Sequence, residues 1–138
     1  MHTFKLIAAA AIVALAGTVA HSADKIDKKT AKNEAKLAQR LEGRVAGEPV
    51  SCIPVYQSSR LEVIEGVALV YDMGDTLYVA RPSDPQTLRR DDILVINRFG
   101  SQLCDTDVIR TVDRNAGFMT GVVFLKKFVP YKKQGAGS

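Results

Sequence analysis

The stretch RLEVIEGVALVYDMGDTLYVARP, residues 60–82, decides the fold class of this sequence. Apolar side chains recur at alternate positions, a period that places them on one face of an extended chain. A turn is predicted at DMGD, residues 72–75, and the segment from Leu77 to Ala80 would form the returning strand. The stretch therefore predicts a β-hairpin. The residues expected on one face of its first strand are Leu61, Val63, Val67, Leu69 and Tyr71.

Strand-like patterns also flank this hairpin. VSCIPVY, residues 50–56, predicts a short edge strand, because Pro54 cannot donate a hydrogen bond to a neighbouring strand. DDILVINRF contains four consecutive aliphatic residues, 93–96, which predict a strand covered on both faces. DTDVIRTVDRNAGFMTGVVFLKKFVPY, residues 105–131, predicts a second hairpin around the NAG turn, with Gly121 as a bulge.

These patterns predict a mainly β protein. Five to six short strands joined by short turns indicate a small antiparallel barrel or rolled sheet, preceded by one N-terminal helix. The alternative is an α+β fold in which residues 105–113 are helical. The predicted β domain spans residues 45–131, and residues 132–138 are expected to form a disordered tail.

The segment before the β domain, residues 24–44, is rich in alanine and lysine. It predicts a basic helical arm that begins near Asp27 or Thr30 and ends at Gly43, where glycine favours a left-handed C-terminal cap. Its apolar stripe is thin, so only the second half of the arm is expected to dock on the domain. The lysines could contact an anionic polymer, and a solvated spacer is the favoured alternative.

The first 23 residues have the layout of a secretory signal peptide, with Lys5 before an uncharged run and small residues after it. That run of about 14 residues is shorter than the roughly 20 that a membrane-spanning helix needs. Cleavage is expected to leave a mature chain that starts between His21 and Asp24, in a periplasmic or secreted protein. Removal of Lys5 lowers the formal charge from +4 to about +3, which is not a nucleic-acid-binding composition.

Histidine and cysteine limit the possible chemistry. His2 and His21 are the only histidines, so a mature chain cleaved after Ser22 or Ala23 would lack the commonest general base and metal ligand. Ser-His-Asp, Cys-His and histidine-bound zinc sites are therefore disfavoured. An oxidising compartment favours a disulfide between Cys52 and Cys104, with free thiols or an intermolecular or redox-active cysteine as the alternatives.

Several short motifs together resemble a family of small exported proteobacterial proteins. The motifs are GRVAGEPVSCI, TLYVARP, DDILV with FGSQLC, VDRNAGF and FVPY, and they cover residues 43–131. The most specific element is the pair of cysteines in SCI and SQLC. The resemblance implies export and the cysteine pair, and it implies no activity, cofactor or partner.

The candidate ligand-binding residues are four arginines: Arg81, Arg89, Arg90 and Arg98. Arginine side chains bind carboxylates and phosphates through two parallel hydrogen bonds, so a converging cluster would suit an anionic ligand. Asp84, Asp91 and Asp92 lie in the same stretch, and salt bridges to these aspartates are the simpler explanation of the pattern.

Carboxylates offer a second candidate chemistry, since paired ones can hydrolyse glycosidic bonds or bind calcium. The chain has no twelve-residue calcium loop and is short for a sugar-binding cleft. Ser101 has no histidine to activate it. We therefore predict no catalytic or metal-binding residue and no cofactor. The acidic residues considered are Asp72, Asp75, Asp105, Asp107 and Asp113.

The sequence thus favours a non-enzymatic exported or periplasmic protein that binds a protein, a peptide or an anionic envelope component. The expected partner is an envelope protein or an anionic envelope polymer, contacted through an edge strand or a loop, and not nucleic acid. The mature chain is expected to have no transmembrane span. The alternative is a small carboxylate-dependent hydrolase, which would need two converging acidic side chains in a concave pocket.

Overall fold

A computed structural model describes residues 20–56, 59–98 and 100–135. They form helix α1 (Ala20–Arg40), ten short β-strands and one turn of 3-10 helix (Pro85–Thr87). Most of the predicted signal peptide, residues 1–19, lies outside the described residues. The strands are β1 (Arg44–Ala46), β2 (Cys52–Pro54), β3 (Arg60–Ile64), β4 (Ala68–Asp72), β5 (Thr76–Ala80), β6 (Asp92–Ile96), β7 (Gln102–Cys104), β8 (Ile109–Asp113), β9 (Met119–Val123) and β10 (Val129–Lys133).

The described strands form three antiparallel sheets. The largest has the order β1-β10-β5-β4-β3, the second has the order β6-β8-β9, and β2 pairs with β7. The predicted mainly β class with one N-terminal helix is confirmed, as a rolled sheet and not as a closed barrel. The α+β alternative is wrong, because residues 105–113 form a turn followed by β8.

The central stretch folds as three strands, where the sequence predicted two. The predicted turn at 72–75 is confirmed between β4 and β5. The long first strand is instead divided by a tight turn at residues 65–67, where Gly66 has a φ of +69° that costs glycine least. This turn places Val67 in the core beneath α1, on the other side of the sheet from Tyr71. Because turns of this kind divide longer predicted strands, the structure has more strands than the predicted five to six.

One junction joins the five-stranded and three-stranded sheets, and we call it the closed seam. It consists of residues 81–83, 124–128 and Val50, which link the ends of β5, β9 and β1 to one another. Ser83 N donates to Phe124 O at 2.7 Å, and the backbones of Val50 and Phe128 exchange two hydrogen bonds of 2.8 Å. Backbone pairing at the closed seam rolls the two sheets around a shared core.

Strand β4 lies at the centre of the molecule with both faces buried. Leu69 and Tyr71 pack into the core that the two larger sheets share. Ala68 and Val70 pack on the other face into a second core, to which α1 contributes the buried side chain of Leu37. The helix is therefore part of the β domain's packing and not a separate arm.

Strand β6 corrects one prediction. Residues 93–96 were expected to be covered on both faces, and this is wrong. Leu94 and Ile96 pack against the shared core, but Ile93 is 45% exposed and Val95 is 38% exposed. The aliphatic run therefore leaves an apolar outer face in contact with solvent.

Both ends of the domain differ from the predicted bounds. Helix α1 begins at Ala20, earlier than Asp27 or Thr30, because no proline or glycine interrupts the segment. The predicted glycine cap is confirmed, since a turn follows α1 and Gly43 has a φ of +70°. The disordered tail predicted for 132–138 is wrong for its first two residues, which pair with β1 as the end of β10.

The Cys52–Cys104 disulfide is confirmed. The two cysteines lie directly opposite each other in the β2–β7 pair, and their Cα atoms are 4.0 Å apart. This separation is within the roughly 7 Å that a disulfide can span. The neighbouring hydrogen bond, from Asp105 N to Ser51 O at 2.8 Å, continues the same pair of strands.

Candidate functional site

The rolled sheet has a gap between β3 and β6, which we call the open seam. β3 ends the five-stranded sheet, and β6 ends the three-stranded sheet. Among the described strands, β3 pairs only with β4, and β6 pairs only with β8. An edge strand presents unpaired N–H and C=O groups along its free side. The open seam therefore offers backbone groups as well as side chains to a ligand.

Part of the open seam is a cavity of about 320 Å³, which we call the seam cavity. Leu61 reaches it from β3, Leu94 and Ile96 from β6, and Tyr71 from β4. Most of the lining residues are aliphatic or aromatic, while polar and apolar atoms contribute about equally to the lining surface, so the cavity can offer both kinds of contact to a ligand. The remaining lining residues are Val55, Tyr56, Ser59, Arg98 and Leu103.

Tyr71 gives the seam cavity a buried polar group. The residue is 3% exposed, and its ring packs edge-on against Phe128 with the ring centroids 6.3 Å apart. The hydroxyl group has no hydrogen-bond partner among the described residues. Burial raises the pKa of Tyr71 to about 12, so the hydroxyl stays protonated at neutral pH. It is an unused hydrogen-bond donor in a site where leaving one costs about 1–3 kcal/mol.

Arg98 supplies a second donor in the wall of the seam cavity. Its Nη1 donates to the carbonyl oxygen of Val55 at 3.2 Å, which leaves its other N–H groups for a ligand. The positive charge of Arg98 opposes part of the rise in the pKa of Tyr71, so the guanidinium acts on that hydroxyl electrostatically.

Basic side chains continue along β3 beyond the seam cavity. Two adjoining depressions, of about 540 and 330 Å³, lie along the strand, and Arg90 lines both. Together with the seam cavity they are lined by seven basic and three acidic side chains. Each of the three acids is paired with a base from α1. Of these seven bases, four have no carboxylate within 4.0 Å among the described residues: Lys32, Arg60, Arg90 and Arg98.

Two carboxylates share one depression, which is the arrangement that the hydrolase alternative requires. Lys36 Nζ lies 2.8 Å from Glu62 Oε1, while Arg40 contacts both Glu62 at 3.3 Å and Asp72 at 2.6 Å. The hydrogen bond from Lys36 lowers the pKa of Glu62, and those from Gly74 N–H and Arg40 lower the pKa of Asp72. Both groups are therefore ionised at neutral pH, whereas a general acid needs a raised pKa.

Each of the four candidate arginines lines a different depression. Arg81 is held by Glu34 of α1 through two hydrogen bonds of 2.6 and 3.0 Å. Arg89 lies beside the start of α1, Arg90 along β3, and Arg98 in the seam cavity. The arginines thus do not form one anion site, although Arg90 and Arg98 both line the open seam.

The sequence predicted salt bridges between the arginines and the aspartates of the same stretch. The described residues show other salt bridges instead. Asp84 Oδ1 instead accepts from Gln86 N at 3.0 Å and caps the 3-10 helix. Asp92 Oδ2 accepts from the Thr120 hydroxyl at 2.9 Å. The charges of α1, which are distant in sequence, supply the actual partner of Arg81.

Of the other acidic residues considered, Asp107 and Asp113 accept hydrogen bonds from nearby backbone N–H groups, and Asp75 lies beside a lysine. Asp107 Oδ2 accepts from Cys104 N at 2.8 Å, and Asp113 Oδ1 accepts from the N–H groups that follow it in the turn. Asp75 Oδ1 lies 4.0 Å from Lys133 Nζ. In the described part of the chain, no group of three or more His, Cys, Asp or Glu side chains is placed to hold a metal ion.

The sequence did not identify the seam cavity. Leu61 and Tyr71 were predicted as members of one apolar face. The only signal for the site was the alternation that places Tyr71 on the buried face, because a buried hydroxyl needs a hydrogen-bond partner. Arg98 was predicted as a ligand-binding residue, and it does line the cavity.

No protein-family model, curated protein or solved structure matches the chain. Among the described helices, none is both long and apolar enough to cross a membrane.

Proposed function

We propose that this chain is a non-enzymatic, exported binding protein that captures an extended polypeptide segment in the open seam. The observation that carries the proposal is the free edge of β3, which borders a cavity lined by both aliphatic and polar side chains. A segment added to this edge would form backbone hydrogen bonds, and its alternate side chains would enter the seam.

The charge of the open seam favours an acidic segment. Lys32, Arg60, Arg90 and Arg98 have no carboxylate within 4.0 Å among the described residues. Glutamate or aspartate side chains of a bound segment would pair with these positive charges. A purely anionic polymer is the weaker candidate, because it would not use the apolar lining or the strand edge.

Two features support the exported location within this proposal: the disulfide and the signal-like N-terminus. Cleavage between His21 and Asp24 would keep the ion pairs between α1 and the sheet, which begin at Lys29. Mass spectrometry of protein recovered from the periplasm or medium should give a mature chain starting in this interval. Recovery of chains with intact Met1 in the membrane fraction would contradict export with processing.

A peptide array tests the binding function. Eight-residue peptides of randomised sequence are probed with the protein purified after export, as wild type and as the variants Leu61→Asp and Val45→Asp. Leu61 is 38% exposed on β3, and Val45 is 53% exposed on β1, the opposite edge strand of the same sheet. Neither substitution affects a buried side chain, so both variants should fold.

The wild type should bind peptides that combine acidic with apolar residues. Leu61→Asp should remove this binding, because it places a charge in the seam, and Val45→Asp should retain it. Equal binding by the two variants would locate the interaction elsewhere on the molecule. Absence of any array signal for the wild type would contradict the proposed function.

A further inference from the structure

Resting on the proposed function, we infer that the seam cavity binds the C-terminal carboxylate and the apolar last side chain of the captured segment. The inference comes from two donors on residues that line one cavity beside aliphatic side chains: the buried hydroxyl of Tyr71 and the guanidinium of Arg98. The β3 edge would then bind the residues that precede this C-terminus.

The two donors select the chemistry of the bound group. The Tyr71 hydroxyl has no acceptor among the described residues, and Arg98 has N–H groups beyond the one bound to Val55. A carboxylate has two acceptor oxygens and a negative charge, so it could accept from both donors at once, provided that the side chains that bury the Tyr71 hydroxyl make room for it on binding. A carboxamide would replace one acceptor oxygen with a further donor.

The apolar lining and the volume set the size of the accompanying group. Leu61, Leu94, Ile96 and Leu103 surround the two donors. A volume of about 320 Å³ is near the lower end of small-ligand sites, at about 300 Å³. The seam cavity is therefore suited to one apolar side chain with its carboxylate, and not to a long acyl chain.

The position of the cavity sets the direction of the segment. The cavity lies at the start of β3, beside Ser59 and Leu61. A segment that runs antiparallel to β3 ends at this point, so its C-terminal carboxylate would meet Arg98. A parallel segment would place its N-terminal ammonium group there, beside Arg60 and Arg98, and the like charges would repel.

The test compares peptides that differ only at the C-terminus. The peptides that bind on the array are made as free acids and as C-terminal amides, and their affinities are measured with wild type, Tyr71→Phe and Arg98→Gln. Tyr71→Phe keeps the ring that packs on Phe128 and removes an unpaired buried hydroxyl, so it should not lower the melting temperature.

Wild type should bind the acids about tenfold or more tightly than the amides, the effect of losing a charge-assisted hydrogen bond. The preference should fall several-fold in each variant, and the preferred last residues should be leucine, isoleucine, valine or phenylalanine.

Equal affinity for acids and amides in wild type would overturn the inference. If Leu61→Asp still abolished binding of both the acids and the amides, the proposed function would stand and only the inference about the C-terminal carboxylate would fail. Absence of binding by either form would overturn both. Octanoate that displaced the peptides at equal concentration would assign the cavity to a fatty acid and also overturn the inference.

Discussion

The closed seam and the open seam join the same two sheets in different ways. At the closed seam, residues 81–83 and 124–128 pair through their backbones, and Phe128 is fully buried. At the open seam, β3 and β6 lie on either side of a cavity, and the Tyr71 hydroxyl has no partner among the described residues. Backbone pairing at the closed seam thus holds the rolled sheet together, while the open seam leaves strand-edge groups and the Tyr71 hydroxyl unpaired among the described residues.

The two seams are in direct contact through aromatic rings. Phe128 of the closed seam packs edge-on against Tyr71 of the open seam. Edge-to-face aromatic pairs have a preferred geometry, so the closed seam helps to fix the ring that carries the unpaired hydroxyl. The packing that stabilises the closed seam therefore also orients the Tyr71 ring at the open seam.

The largest expected effect is a difference in stability between the seams. Phe128→Ala removes a fully buried ring from the closed seam and should lower the free energy of unfolding by about 3–5 kcal/mol. Leu61→Ala at the open seam should lower the free energy of unfolding by about 0.5 kcal/mol or less, because Leu61 is partly exposed and lies outside the main core clusters. Denaturant unfolding measures both values. Similar costs at the two positions would contradict the assignment of stability to the closed seam.

The next effect concerns the disulfide. Cys52→Ala, Cys104→Ala and the double variant should each lower the stability by about 2–5 kcal/mol, because the crosslink restrains the unfolded chain across 52 residues. Leu103 precedes Cys104 and lines the seam cavity, so these variants should also weaken peptide binding. A much larger loss in the single variants than in the double variant would instead indicate damage from an unpaired thiol.

The smallest effect is the pH dependence of helix docking. Ion pairs between α1 and the β domain lower the pKa of Glu34 and Glu62 in the folded state, and the Gly74 N–H together with Arg40 of α1 lowers the pKa of Asp72. A carboxyl group whose pKa is lowered by folding stabilises the fold at any pH above its pKa in the unfolded chain, which is near 4. This contribution is lost as the pH falls through the pKa of the group in the folded state. Pairs this exposed contribute about 0–1 kcal/mol each.

Unfolding at pH 7 and pH 3 measures the helix effect. Stability should be lower at pH 3, and the difference should shrink in the variant that combines Glu34→Gln, Glu62→Gln and Asp72→Asn. Stability that rose on acidification, or an unchanged difference in the triple variant, would show that these pairs do not govern the response.

The sequence predicted the elements whose signals are local. The hairpin turn at 72–75 follows from a glycine between two alternating runs. The disulfide follows from two cysteines and an expected oxidising compartment. The cap at Gly43 follows from the first glycine after a helical segment.

The predictions that failed depended on contacts distant in sequence. The turn at Gly66 was not predicted because the apolar residues on its two sides, Val63 and Val67, keep the same alternation along the chain. β4 and β6 are both aliphatic, but only β4 has a helix on its second face. Whether both faces of a strand are buried depends on which other elements pack against it in the whole fold. The aliphatic run in β6 therefore could not show whether another element packs on its outer face.

The candidate site was even less visible, because it arises where two sheet edges meet. Leu61, Tyr71 and Arg98 come from different strands and loops, and no spacing connects them. The arginines were identified by charge alone; the partner of Arg81 is Glu34 on α1, and that of Arg98 is the backbone carbonyl of Val55.

Hydrogen exchange tests the central claim, strand addition at the open seam, most directly. Exchange of backbone amides is followed by mass spectrometry in the wild-type protein, alone and saturated with the tightest peptide from the array. Strand addition at β3 should slow exchange at residues 60–64 and leave residues 44–46 of β1, the control edge strand, unchanged. Protection that appeared in β1, or binding without any protection in β3, would contradict it.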